Sequence, residues 1–216
     1  IQLPLQDQNP RLLPGHPHHA LNGRMEARII TGRTFGKNDA EALFTEGTVF
    51  DKCIFRGGTF TALLLHGIIL LDCRFTGCDF SLSAFANTVM DGVTFSGCKM
   101  SGTSFGERNS SHRLSASFTE CIFDDAVFLH ITADSVFRQC RMHATVFESC
   151  ILKGVLFDAC DMQGSSFTDN DLRSADFLTS SGFTIDPETN RLNGARFSQA
   201  SLPGLLAKYR IKIENP

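Results

Sequence analysis

The sequence predicts an all-β solenoid, a chain that turns a corner every five residues and stacks its coils along one axis. The first observation is a five-residue beat: Phe50, Phe55, Phe60, Leu65, Leu70, Phe75, Phe80, Phe85, Met90, Phe95, Met100 and Phe105. In a chain that is 42% hydrophobic, twelve successive apolar slots would arise by chance roughly 3 times in 100,000, so the period belongs to the architecture. The beat resumes at Phe118, Phe123 and Phe128, and after one irregular step runs from Phe137 through Met142, Phe147, Leu152, Phe157, Met162, Phe167 and Leu172 to Phe177. The second observation is a small residue two places before most of these, among them Thr48, Cys53, Cys73, Ser83, Thr103, Ala126, Thr145 and Ser165. The third is that neither a period of 3.6 nor a period of 2 buries this pair of positions. Four five-residue sides close one square coil, and coils stack at the usual strand spacing of about 4.8 Å. One coil cannot bury its own interior, so neighbours must stack.

Each segment can be taken in chain order. Residues 1–24 share none of the period, carry four of the seven prolines, and precede a natural-looking start at Met25. They are expected to be an added leader or a flexible extension, with the solenoid occupying residues 25–200. Ile30 and Phe35 place the beat's beginning before Phe50, and Gly36 to Gly47 interrupts or caps it. In the stretch TALLLHGIILLD the small slots hold Leu63 and Ile68, while Leu64, Ile69 and Leu71 point outward. Such a patch normally contacts something, here the N-terminal segment or the 106–117 loop. Residues 106–117 (GERNSSHRLSAS) break the period and are expected to project as a loop, either functional or a tolerated insertion. Residues 129–136 are one short and mark a kink or a join between two segments. After Phe177 the pattern loosens and gives two more units, around Leu192 and Phe197. Residues 201–216 change character: Ser201 caps a short helix with Pro203 in its first turn, followed by alternation at Ile211 and Ile213 expected as a short strand. This tail is a cap or a dimer interface, and dimerisation is the reading taken.

All eight cysteines (Cys53, Cys73, Cys78, Cys98, Cys121, Cys140, Cys150 and Cys160) fall at the small inward position. They are expected as packing thiols rather than disulfide or metal partners. His66, His112, His130 and His143 are scattered, no nucleotide or nucleophile motif is present, and a Phe-filled coil leaves no substrate pocket. No enzyme, catalytic residue, cofactor or metal is expected. Nor does any apolar run approach the ~20 residues of a membrane span, and a cytoplasmic location is expected.

Charge is unevenly placed. Residues 118–177 hold ten acids against four bases, residues 48–105 four against four, and residues 178–216 three against five. A solvated polar face is the plain reading of such a run. A stiff acidic rod also presents a potential like that of DNA, and would attract DNA-binding proteins while repelling DNA.

The unit small-x-large-x-x, in stretches such as CDFSL, ATVFE, GSSFT and SADFL, resembles the pentapeptide repeat family over roughly residues 26–200. That resemblance implies a right-handed quadrilateral β-helix. Four features make the chain similar to the Qnr-type quinolone-resistance proteins and to the albicidin- and microcin-type immunity proteins: its length from Met25, the loop after FSGCKMSGTSF, the irregularity near Ala133, and the ending IDPETNRLNGARFSQASLPGLLAKYRIKIE. The similarity implies a homodimer joined through its tail that mimics DNA, binds DNA gyrase or topoisomerase IV, and protects it from a poison. The first segment departs from it by being neutral, and Leu63 and Ile68 break the small-residue rule.

The expected gyrase contacts are Glu120, Asp124, Asp125, Asp158, Asp161, Asp169, Asp171 and Asp176 on the rod, with Arg108, Asn109, His112 and Arg113 on the loop. The expected dimer interface comprises Leu202, Leu205, Leu206, Tyr209, Ile211 and Ile213. Direct nucleic-acid or membrane binding is not expected. The alternative is a structural or scaffolding repeat protein with another partner.

Overall fold

A corner every five residues requires the backbone to reverse direction, and a residue with positive φ does this most directly. The computed structural model, which describes residues 28–37, 39–107 and 112–212, places one two residues after nearly every central residue. Lys52, Asp72, Asn87, Asp125, Ala144, Ala159 and Asp169 all lie between φ 49° and 58° there, and Gly57, Gly77 and Gly97 fill the same slot. Between corners the chain is extended for two or three residues, as at Val49–Asp51, Ile54–Arg56 and Val146–Glu148. The result is a β-solenoid of about 8 turns of parallel strands ending in a short helix.

The four faces are named here by the central residues Phe50, Phe55, Phe60 and Leu65. The first and second faces share an 11-stranded sheet, because Val89–Ser96 and His112–Thr119 each run through the corner between them. On the third face rungs meet through single bridges, Thr59 to Asp79 to Lys99 to Ile122 to Arg141 to Asp161. The fourth face is a separate six-stranded sheet running from Ala84–Phe85 to Thr184–Ile185.

Stacking at strand spacing puts identical side chains directly above one another. Along the second face Phe35, Phe55, Phe75, Phe95, Phe118, Phe137, Phe157, Phe177 and Phe197 form one column, with neighbouring centroids 4.5 to 5.3 Å apart and nearly parallel planes. Phe85, Phe105, Phe128, Phe147 and Phe167 repeat this on the fourth face. Rings from adjacent faces meet edge-on, as Phe157 and Phe167 do at 87°. Each arrangement matches the ring quadrupole.

The small position has its own reason. Thr103 and Thr145 donate their hydroxyls to the carbonyls of Phe80 and Phe123, one coil back, at 2.8 and 2.9 Å. Cys73 and Cys150 do the same with thiols at 3.3 Å. All eight cysteines are free and buried. Burial pushes the Cys73 thiol up to about 12 and that of Cys150 up to about 11, so neither forms the reactive thiolate at neutral pH.

Several expectations need correction. The segment read as a loop over 106–117 is strand from His112 to Thr119. It pairs with the coil below through a bulge between Leu114 and Ala116. The irregularity at 129–136 is no break in the rod: Ile131–Ala133 is a strand, and Phe118 stacks on Phe137 at 5.0 Å across it. After Phe177 the beat slips, so Ile185 rather than a fifth-position residue stacks over Phe167. Ile211 lies in no strand, because the chain leaves Ala207–Tyr209 through Arg210 at φ 52°. Residues 1–24, Arg108, Asn109 and Ile213 lie outside the described residues. No described helix is long and apolar enough to cross a membrane.

Both ends are covered. At the start, the interruption Gly36 to Gly47 carries Glu41–Leu43 in a 3-10 turn and drives Phe44 inward, with its ring 4.6 Å from Phe50 and 4.7 Å from Phe60. At the other end, Leu202–Leu206 packs Leu205 against the core. Gly204 makes this approach feasible, since a Cβ there would lie 2.3 Å from the Phe183 carbonyl oxygen. Lys208 Nζ then ties the tail to Asp186 at 2.8 Å and Glu188 at 2.5 Å, and Tyr209 donates to Glu188 at 2.8 Å.

Replacing Phe147 by Ala removes one ring from a continuous column and is expected to cost about 3–5 kcal/mol, measured by chemical denaturation. Unchanged stability would contradict the register. The tail should respond to acid. Lys208 hydrogen bonds hold the Asp186 and Glu188 carboxyls below the ordinary carboxylate range. Their contribution is therefore full above about pH 5 and lost as pH falls through the lowered values. Tyr209 is the only Tyr in a chain without Trp, so its emission reads the tail directly. Emission should be flat from about pH 8 to 5 and change below that range, and Lys208→Ala should give the released signal throughout.

Candidate partner-binding surface

Outward side chains at equivalent positions on successive coils are strand neighbours, so charge on this rod is organised in columns. Cross-strand opposites attract and like charges repel at this distance. On the third face Arg141 grips Asp124 with Nε at 3.1 Å and a terminal nitrogen at 2.5 Å, and His143 Nε2 lies 2.7 Å from Asp161. On the second face Arg138 approaches Asp158 at 3.9 Å and Arg196 binds Asp176 at 2.6 Å. On the first face Arg113 lies 3.8 Å from Asp134, and Asp171 is held by Arg173 at 2.6 Å with Arg191 at 3.6 Å. The Arg173 guanidinium holds the Asp171 carboxyl below its ordinary value.

The eight acids expected to contact gyrase therefore divide. Asp124, Asp158, Asp161, Asp171 and Asp176 are engaged by bases of neighbouring coils or of their own coil. Glu120, Asp125 and Asp169 are exposed corner residues at positive φ, with no ion pair among the described residues. Asp tolerates that backbone region better than most residues, which gives Asp125 and Asp169 a local reason for their positions.

Of the loop residues, Arg113 sits on the strand His112–Thr119 and faces Asp134. His112 lies on the same strand, but its side chain is outside the described residues, like all of Arg108 and Asn109. Where that segment joins the rod, Gly106 is indispensable: a Cβ would lie 2.0 Å from the Leu129 carbonyl oxygen. The missing residue lies between Ala133 and Phe137, at the corner between the first and second faces, whereas the extra residues between Phe105 and Leu114 fall at the corner between the fourth and the first. A notch of about 10 Å³ lies there, among Phe85, Met90, Phe105, Leu114 and Ile131, enough for a water and no substrate. No described group of three His, Cys, Asp or Glu side chains is placed to hold a metal ion.

In the tail Leu205 and Leu206 are half-buried, whereas Leu202, Tyr209 and Ile211 are 43%, 51% and 55% exposed. Three features escaped the sequence reading. Phe44 plugs the first coil off the beat, Lys208 latches the tail, and Glu148 stands on the fourth face with no ion pair among the described residues. For Phe44 a signal did exist, a lone Phe inside the interruption; for Lys208 and Glu148 none did, because their neighbours are set by the stacking.

The comparisons agree with this architecture. Residues 111–181 match the pattern of the pentapeptide repeat region and residues 68–106 that of eight-copy pentapeptide repeats, together just over half of the chain. No curated protein matches the sequence. Among solved structures, HetL from the cyanobacterium Nostoc sp. strain PCC 7120, a pentapeptide repeat protein involved in heterocyst differentiation regulation, is 14% identical, with 79% of this chain and 84% of that chain covered and a TM-score of 0.50. QnrB1, a plasmid-mediated fluoroquinolone resistance protein, is 18% identical, with 87% and 99% covered and a TM-score of 0.47. Rfr23 from the cyanobacterium Cyanothece 51142 is 7% identical, with 80% and 86% covered and a TM-score of 0.17. At 14% identity the likeness to HetL speaks to fold rather than to activity. With a five-residue corner, a column of small donors and a column of stacked rings on every coil, the chain belongs to the pentapeptide repeat family.

Proposed function

We propose that this protein binds DNA gyrase or topoisomerase IV in place of DNA and protects the enzyme from a topoisomerase poison. The observation that carries the reading is a hydrogen-bonded β-solenoid whose 118–177 stretch holds ten acids against four bases. With three extended residues per side and side chains beyond them, the rod is roughly 20 Å across. A long-range field depends on net charge, and internal ion pairs do not change it. The rod would enter the groove that takes duplex DNA, and a homodimer would double its length.

A second reading has its own observation. Arg138, Arg141 and Arg196 pair with acids one coil away and Arg173 with one on its own coil, so acids on three faces are locally neutralised. A scaffold that binds another protein through shape would have such faces.

A supercoiling assay with purified gyrase and a quinolone separates the two. Protection, or inhibition at high concentration, is the expected result; no effect at any concentration overturns the proposal. Dimerisation is tested at the tail. Leu202 and Ile211 are exposed in the single chain, so Leu202→Asp and Ile211→Asp spare the cap. They are expected to convert a dimer into a monomer in sedimentation. A dimer that survives both changes leaves the tail as a cap alone.

A further inference from the structure

The faces of this rod are not equivalent, and the difference is visible only once the coils are stacked. Every described Lys or Arg from Arg113 to Arg196 lies off the six-stranded sheet. Arg113, Lys153, Arg173 and Arg191 belong to the first face, Arg138 and Arg196 to the second, and Arg141 to the third. The strands of the fourth face carry no Lys or Arg at all. The outward residues before its central positions are small or β-branched, Ala84, Ser104, Val127, Val146, Ser166 and Thr184, and those after them include Leu129, Glu148 and Thr168. Glu148 stands on the sheet, and Asp125 and Asp169 stand at the two corners that bound it. None of the three has an ion pair among the described residues.

We infer that the six-stranded sheet is the docking face, and that its occupant is a concave, base-lined groove of a protein that otherwise holds a nucleic-acid duplex. This rests on the proposed function and names the face involved. Charge complementarity selects the occupant, because this face and its corners carry acids and its strands no Lys or Arg. Smooth side chains let another backbone come close. Size excludes a flat partner such as a second copy: six strands at about 4.8 Å spacing extend about 24 Å. A face that long and roughly 20 Å wide falls short of the about 800 Å² that each side of a stable interface buries. A groove that wraps both corners, and so reaches Asp125 and Asp169, makes up the difference.

The test compares two charge reversals of equal size by binding to immobilised gyrase at about 50 and 200 mM salt. One variant carries Asp125→Lys, Glu148→Lys and Asp169→Lys. The control carries Glu120→Lys, Asp134→Lys and Asp161→Lys, off the sheet. A neutral version, Asp125→Asn with Glu148→Gln and Asp169→Asn, retains side-chain shape if the reversal unfolds, and thermal melting checks all three. The sheet variants are expected to bind at least about tenfold more weakly than the control and to lose most of the salt dependence. If wild type binds and the sheet variants bind as well as the control, the face assignment falls while the proposed function stands. If wild type itself does not bind, the proposed function falls and the face assignment with it.

Discussion

Everything in this molecule depends on the spacing that backbone hydrogen bonds impose between coils. Bonds such as Lys52 N–H to the Leu71 carbonyl and Ile54 N–H to the Arg33 carbonyl, both 2.8 Å, fix each rung on the next. The aromatic columns follow, since two rings carried by paired strands sit at 4.5 to 5.3 Å on the second face, close to their own stacking distance. The same spacing brings a hydroxyl or thiol at the small position within reach of the carbonyl one coil back. Packing and hydrogen bonding therefore select the same two residue types, coil after coil, which is the mutual consistency a foldable sequence shows.

That constraint also explains how the irregular coils are tolerated. The coil from Phe95 to Phe118 is 23 residues long and the next, to Phe137, is 19. Both stacking distances are nonetheless 5.0 Å. Excess chain leaves at the corner by Gly106, the shortened turn between Ala133 and Phe137 lies one corner further on, and the core columns pass by undisturbed. An insertion at a corner changes surface and leaves the interior intact. The ends obey a related rule: an open coil presents rings and unpaired rungs, which Phe44 covers at one end and Leu205 with the Lys208 latch at the other.

Much of the fold was legible because the interior repeats in register with the sequence. Phe147 or Cys150 could be assigned an inward direction from the beat alone. Phe44 could not, since its burial comes from the path of a non-repeating turn. Ile211 is the opposite case: alternation over four residues suggests a strand, but among the described residues the chain forms none after it turns at Arg210. The candidate surface was legible only as composition. Asp124 and Asp125 are adjacent in sequence, yet one is clamped by Arg141 and the other faces solvent.

By itself the sequence determined the five-residue corner, the contents of the core, the role of the cysteines as packing groups and the total charge of each stretch. Those are properties of single positions read against a period. Only the tertiary structure decided which acids meet bases and which face keeps an unbalanced charge. Partners such as Asp124 and Arg141, or Asp176 and Arg196, lie 17 and 20 residues apart. Whether they meet depends on the summed length of every corner between them, and one residue more or less shifts each outward side chain to a different neighbour.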